Sequence, residues 1–165
     1  MIPQNDISYK LEYFDLNDSY DMNVDGSSED KIFTYAPCEN QSCYLEEIRF
    51  MILDSGTMNY NHFGSLGAAL ANGIEIYIHK AGMDIPLTTI KTNAELIMTF
   101  SANTNVGNTS TGFLNDNDYF IGTLKLPHHI RLVDGFGDSV KIKIQDDLTN
   151  IDYLRVQALI WGVPG

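Results

Sequence analysis

The sequence predicts an all-β fold: one antiparallel β-sandwich domain over residues 1–165, jelly-roll-like, with residues 1–7 and 162–165 as extended arms. Three observations carry this. Short segments alternate apolar and polar residues with the period of a strand. Gly, Asn and Asp turn residues separate them at Asp25-Gly26, Asn72-Gly73, Asp134-Gly135 and Gly137-Asp138. No long stretch repeats with the helical period. Eight or so strands with irregular connections suit a two-sheet roll.

In chain order, residues 8–14 (SYKLEYF) place Tyr9, Leu11 and Tyr13 on one face. Residues 31–35 (KIFTY) form a short strand that Pro37 stops. Residues 44–54 (YLEEIRFMILD) are the longest apolar stretch. Ile48, Phe50 and Ile52 share one face, with Arg49, Met51 and Leu53 on the other, as in a central strand covered on both sides. The clearest alternation is residues 74–79 (IEIYIH), with Ile74, Ile76 and Ile78 inward and His79 on the wet face. Short strands are expected at 86–88 and 130–133, and longer ones at 119–126 (YFIGTLKL) and 140–144 (VKIKI). Residues 153–161 (YLRVQALIW) close the pattern, with Leu154, Val156, Ala158 and Ile160 on one face and Trp161 closing the core. The final Gly-Val-Pro-Gly is not expected to extend regular structure. Residues 59–70, rich in Gly and Ala, suggest a helical turn. Residues 93–100 (NAELIMTF) read equally as a helix capped by Asn93 or as a strand. Residues 103–118 form a long polar loop.

Composition excludes several function classes. The net charge is -12, from 22 acidic and 10 basic residues. No basic run is present to neutralise phosphates or meet an anionic bilayer, so neither nucleic acid nor membrane is expected as a partner. No apolar run approaches the roughly 20 residues of a membrane span. The first six residues lack both a basic and an apolar segment, so no signal peptide is expected and folding is placed in a cytosol. Charged residues are only 19%, which leaves Asn, Ser, Thr and Gly to supply much of the surface.

Few patterns point to chemistry. Asp21-Met-Asn23-Val-Asp25-Gly26 matches the first half of a calcium loop, with alternating oxygens and a Gly at the sharp turn. The twelfth position is Ile32 where a bidentate Glu is needed, so a solvated acidic loop is the expectation, with Glu29 or Asp30 as substitute ligands in the other case. The oxygens of residues 115–118 read as a loop tip. Cys38 and Cys43 flank Glu-Asn-Gln-Ser. That spacing permits a disulfide across a hairpin loop, while a reducing cytosol favours two thiols. His128 and His129 are adjacent, so on a strand they face opposite sides and do not share an ion. No nucleophile elbow, phosphate loop or dinucleotide fingerprint is present. Catalytic, cofactor and metal residues are therefore all expected to be none.

Residues 25–78 resemble a group of small virion proteins of tailed bacteriophages. The resemblance rests on Asp25-Gly26-Ser27, Phe33-Thr34-Tyr35-Ala36-Pro37, Tyr44-Leu45-Glu46-Glu47-Ile48, Asp54-Ser55-Gly56, Phe63-Gly64-Ser65-Leu66-Gly67 and Leu70-Ala71-Asn72-Gly73-Ile74. The family's Gly-rich hairpin is replaced here by the segment from Cys38 to Cys43. The resemblance implies a non-enzymatic structural component of the particle: a capsid decoration, neck or tail-associated protein, made in the host cytoplasm and ending in the virion. Its partners would be other virion proteins and copies of itself, in a trimer or larger ring. The nine Tyr and eight Phe suit polar interfaces between repeated subunits. The alternative is a carbohydrate- or receptor-binding β-sandwich, calcium-assisted through Asp21 and Asp25.

Overall fold

The computed structural model describes residues 11–15, 24–37, 39, 41–53, 61–63, 66–100, 119–151 and 153–163. Among them the order is β1 (Leu11–Asp15), β2 (Lys31–Tyr35), β3 (Ser42–Leu53), β4 (Ile74–Lys80), β5 (Met83–Ile90), α1 (Asn93–Phe100), β6 (Tyr119–Val133), β7 (Ser139–Ile144) and β8 (Tyr153–Val163). The strands form two four-stranded sheets, ordered β1-β8-β3-β6 and β2-β7-β4-β5. All pairings are antiparallel.

The pairings follow one rule. β1 pairs β8, β2 pairs β7, β3 pairs β6 and β4 pairs β5. The chain thus runs out to a tight turn at Ala81-Gly82 and returns alongside itself. Two more ladders, β3 with β8 and β4 with β7, fold this ribbon into two layers. Ile48, Phe50, Ile52, Val156 and Ile160 of one sheet share a single buried cluster with Ile74, Ile76, Ile78, Ile142 and Ile144 of the other. That burial of alternate positions is what the period-two pattern encodes.

The ladder of β3 slips between Leu45 and Glu47. Inward positions change there from Cys43 and Leu45 to Ile48, Phe50 and Ile52. An extra residue in one strand does this, and it leaves Glu46 and Glu47 both on the outward side.

Several expectations need correction. The strands at 119–126 and 130–133 are one strand, β6, which passes through Pro127. Between the pairs Leu45↔Ile130 and Glu47↔Lys125, the segment 126–129 bulges out. β6 is an edge strand, so the N–H that Pro127 lacks is not required on its free side. The strand at 86–88 extends over Met83–Ile90. Its hairpin turn, Ala81-Gly82, has φ of 51 and 79 at the two residues. Two consecutive left-handed residues match the twist of the flanking strands.

Residues 93–100 are helical, and the cap is Thr92, not Asn93. Thr92 Oγ1 accepts the Glu95 N–H at 3.2 Å, and the Glu95 carboxylate accepts the Lys91 N–H. Asn93 instead turns inward and donates from Nδ2 to His62 O at 2.8 Å. Residues 59–70 hold no α-helix among those described; Leu66 N–H closes a short turn on Phe63 O. Gly162 and Val163 are not an arm. They belong to β8 and pair with Cys43 and Ser42. Trp161 does not close the core: Ile160 points inward, so Trp161 lies on the outward face, where its Nε1 donates to Glu46.

Candidate interaction surface

β4 delivers Lys80 to the end of the sandwich on the inward-facing side, after Ile74, Ile76 and Ile78. Its ammonium crosses to the other sheet, donating to Arg131 O and, at 3.0 Å, to Asp138 Oδ2. Asp138 follows a 3-10 turn at Asp134–Phe136 that joins β6 to β7. It is 1% exposed. Besides Lys80 it accepts the N–H of Ala81 at 3.0 Å and of Val133 at 3.1 Å. Burial pushes its carboxyl up, but these donors outweigh burial and hold it below the ordinary 3.8. One carboxylate therefore ties the β4–β5 turn to the end of β6 and the start of β7.

Large apolar side chains stay open at the same end. Met83 is 64% exposed, Ile85 43% and Phe136 71%. Met83 follows the clamped turn by two residues, and Phe136 precedes Asp138 by two. Ile85 pairs with the buried Ile78, so it occupies a core-facing position on an edge strand that is left partly uncovered. Exposed apolar groups held on a rigid frame, with polar groups around them, have the make-up of a contact surface.

The opposite end is acidic and largely self-satisfied. Asp25 Oδ1 accepts the N–H of Ser27 at 2.9 Å and its hydroxyl at 2.6 Å. These two bonds lower the Asp25 pKa. Asp147 makes the same pair of bonds with Thr149. Asp146 collects the backbone N–H groups of Ala71, Asn72 and Gly73. Gly26 is required here: a Cβ would stand 2.2 Å from Ile144 O. Asp21 and Asn23 of the half calcium loop lie outside the described residues, as do residues 115–118. Glu29 pairs with Lys31, and Asp30 faces Lys143 and Gln145. Among the described residues no group of three or more His, Cys, Asp or Glu is arranged to hold a metal.

Cys43 is buried in the core cluster, and Cys38 lies outside the described residues. His62 Nδ1 lies 3.2 Å from Phe63 O. His128 and His129 sit exposed in the β6 bulge.

Strand register also produces a row that the sequence conceals: Ser139, His79 and Asp84 are cross-strand neighbours on the outer face of β7, β4 and β5. His79 Nδ1 lies 2.7 Å from Asp84 Oδ1. The residue types are those of a nucleophilic triad, but Ser139 is 3% exposed, which denies a substrate access to its hydroxyl. Beside this row, burial and then the Asp84 charge push the Tyr77 phenol up, and Lys141 Nζ stands 6.0 Å from its ring centre.

Compared with known protein families, with curated proteins and with solved structures, the chain matches none.

Proposed function

We propose that this protein is a non-enzymatic structural component of a tailed-phage particle. In this reading it self-associates and docks on the capsid, neck or tail through the end that carries Met83, Ile85 and Phe136. Those three exposed apolar side chains, on a turn fixed by Asp138, are the observation that carries it. Burying such a side chain contributes about 1.5–3 kcal/mol, so three suffice to anchor a modest interface.

The finer fold assignment belongs to the same proposal. The orders β1-β8-β3-β6 and β2-β7-β4-β5 follow from rolling one long antiparallel ribbon, which is how a jelly roll is built. That architecture recurs in viral capsid domains and in lectins. The resemblance of residues 25–78 to phage virion proteins selects between these two settings. Of the two carboxylates on which the calcium-assisted alternative rests, Asp25 alone belongs to the described residues, and its Oδ1 is taken by the Ser27 turn.

The test is the mass of the purified protein in solution by light scattering, at about 0.5 M salt, where charged contacts are screened. A discrete oligomer is expected, and Met83→Asp/Phe136→Asp is expected to reduce it to monomer with an unchanged Tm. A wild-type monomer, or a double variant that assembles as the wild type does, would sink the assignment of this end.

A further inference from the structure

The charges of this chain are unevenly satisfied. Lys31 pairs with Glu29, Lys80 with Asp138, and Lys143 with Asp30 and Glu75. Lys91 donates to Ala71 O, and Lys141 faces the Tyr77 ring. Among the described residues, Lys125 and Arg131 stand out because their side chains have no such partner, although the chain carries 22 acidic groups against 10 basic ones. Both are exposed, and both lie on β6. Between them the bulge presents His128 and His129, also exposed. Among the described residues, this edge strand of an acidic protein thus carries two exposed basic side chains, Lys125 and Arg131, on either side of one bulge.

We propose that this stretch of β6 is a second interface, and that its occupant is another copy of the same chain, presenting the acidic end with Asp25, Glu29, Asp30 and Asp147. The proposal rests on the self-association read above, but uses a different surface. Charge complementarity carries it. The four carboxylates are exposed and lie just before β2 and after β7, strands of the sheet that does not contain β6; Lys31 and Lys143 stand beside Glu29 and Asp30 without matching the acidic charge there. One molecule therefore does not satisfy the contact with itself. A polyanion such as nucleic acid is the poorer occupant, because two fixed cations offer it little and the net charge of -12 repels it. Contact between unlike surfaces is heterologous, so it generates rings or open arrays. Pro127 and the bulge block strand-to-strand pairing at this edge, so the contact is made by side chains.

The experiment compares association at about 30 mM and about 0.5 M salt by sedimentation velocity. The wild type is expected to gain mass at low salt. Lys125→Glu/Arg131→Glu and Glu29→Lys/Asp30→Lys are each expected to weaken that gain about tenfold or more. Mixing the two variants restores it, since each retains the surface that the other has lost. Lys125→Ala/Arg131→Ala, a milder change on exposed side chains, guards against a folding defect and is expected to weaken the gain as well. If the wild type gains mass at low salt and the single-surface variants match it, this interface is wrong while self-association stands. If the mixture fails to recover the lost mass, the pairing of these two surfaces is wrong. If the wild type is monomeric at both salt concentrations, both readings fall.

Discussion

Asp138 accepts two backbone N–H bonds and one ammonium from a buried position, and the donors come from two segments far apart in sequence, Lys80-Ala81 and Val133. Removing its charge strands Lys80 and leaves Ala81, at φ 51, without the bond that holds it. Asp138→Asn is expected to cost about 3 kcal/mol at pH 7, read by urea unfolding. The sign of the pH dependence follows from its depressed pKa. A carboxyl lowered by folding stabilises fully above its unfolded value and loses that contribution as pH falls through the folded one. The gap between wild type and variant should therefore hold from pH 7 to pH 5 and narrow only below about pH 4. None of this was legible beforehand. Gly137-Asp138 reads as a turn pair, and nothing local marks Asp138 as a buried acceptor whose donors come from Lys80, Ala81 and Val133. The alternation that placed Ile74, Ile76 and Ile78 inward was legible, because it needs only the strand period.

At the scale of the elements, β2, β4 and β7 were plain in the sequence because each is short and regular, with β4 and β7 burying an apolar face and β2 alternating between half-buried and exposed residues. β5 was not, since Met83 to Pro86 are exposed and its turn, Ala81-Gly82, lacks the usual Asn or Asp at the first position. β6 was split at Pro127, a residue that breaks central strands but not edge ones. The edge strands β5 and β6 each carry a proline and a register slip, devices that discourage uncontrolled pairing with other chains. The helix was ambiguous because Ile97, Met98, Thr99 and Phe100 suit a strand equally well; Thr92 and Glu95, the capping residues, decide it. Thr92→Ala should cost about 1 kcal/mol, seen as a Tm fall of roughly 2–4 °C in a thermal scan.

At the scale of the whole molecule, period-two patterning led to a two-layer β architecture, but not to the partners of each strand. Those are set by contacts between residues distant in sequence, as in Leu11 against Trp161. The surfaces that bear on function are likewise products of assembly. Met83 and Phe136 meet at one end only because Asp138 joins their turns. Lys125 and Arg131 flank one bulge only because β6 runs unbroken through Pro127.

The place of β8 in its sheet has a consequence for biosynthesis. β8 comes last in chain order among the described strands, yet it is an interior one, flanked by β1 and β3. Until β8 is made, β1 has no neighbour in that sheet and β3 has only β6. Without β8 the layer is incomplete, and Ile48, Phe50 and Ile52 lack their cross-strand neighbours Ala158, Val156 and Leu154. A chain stopped after Asn150 should show no cooperative thermal transition by circular dichroism, and adding residues 151–165 as a separate peptide is the direct way to ask whether the missing strand alone restores it.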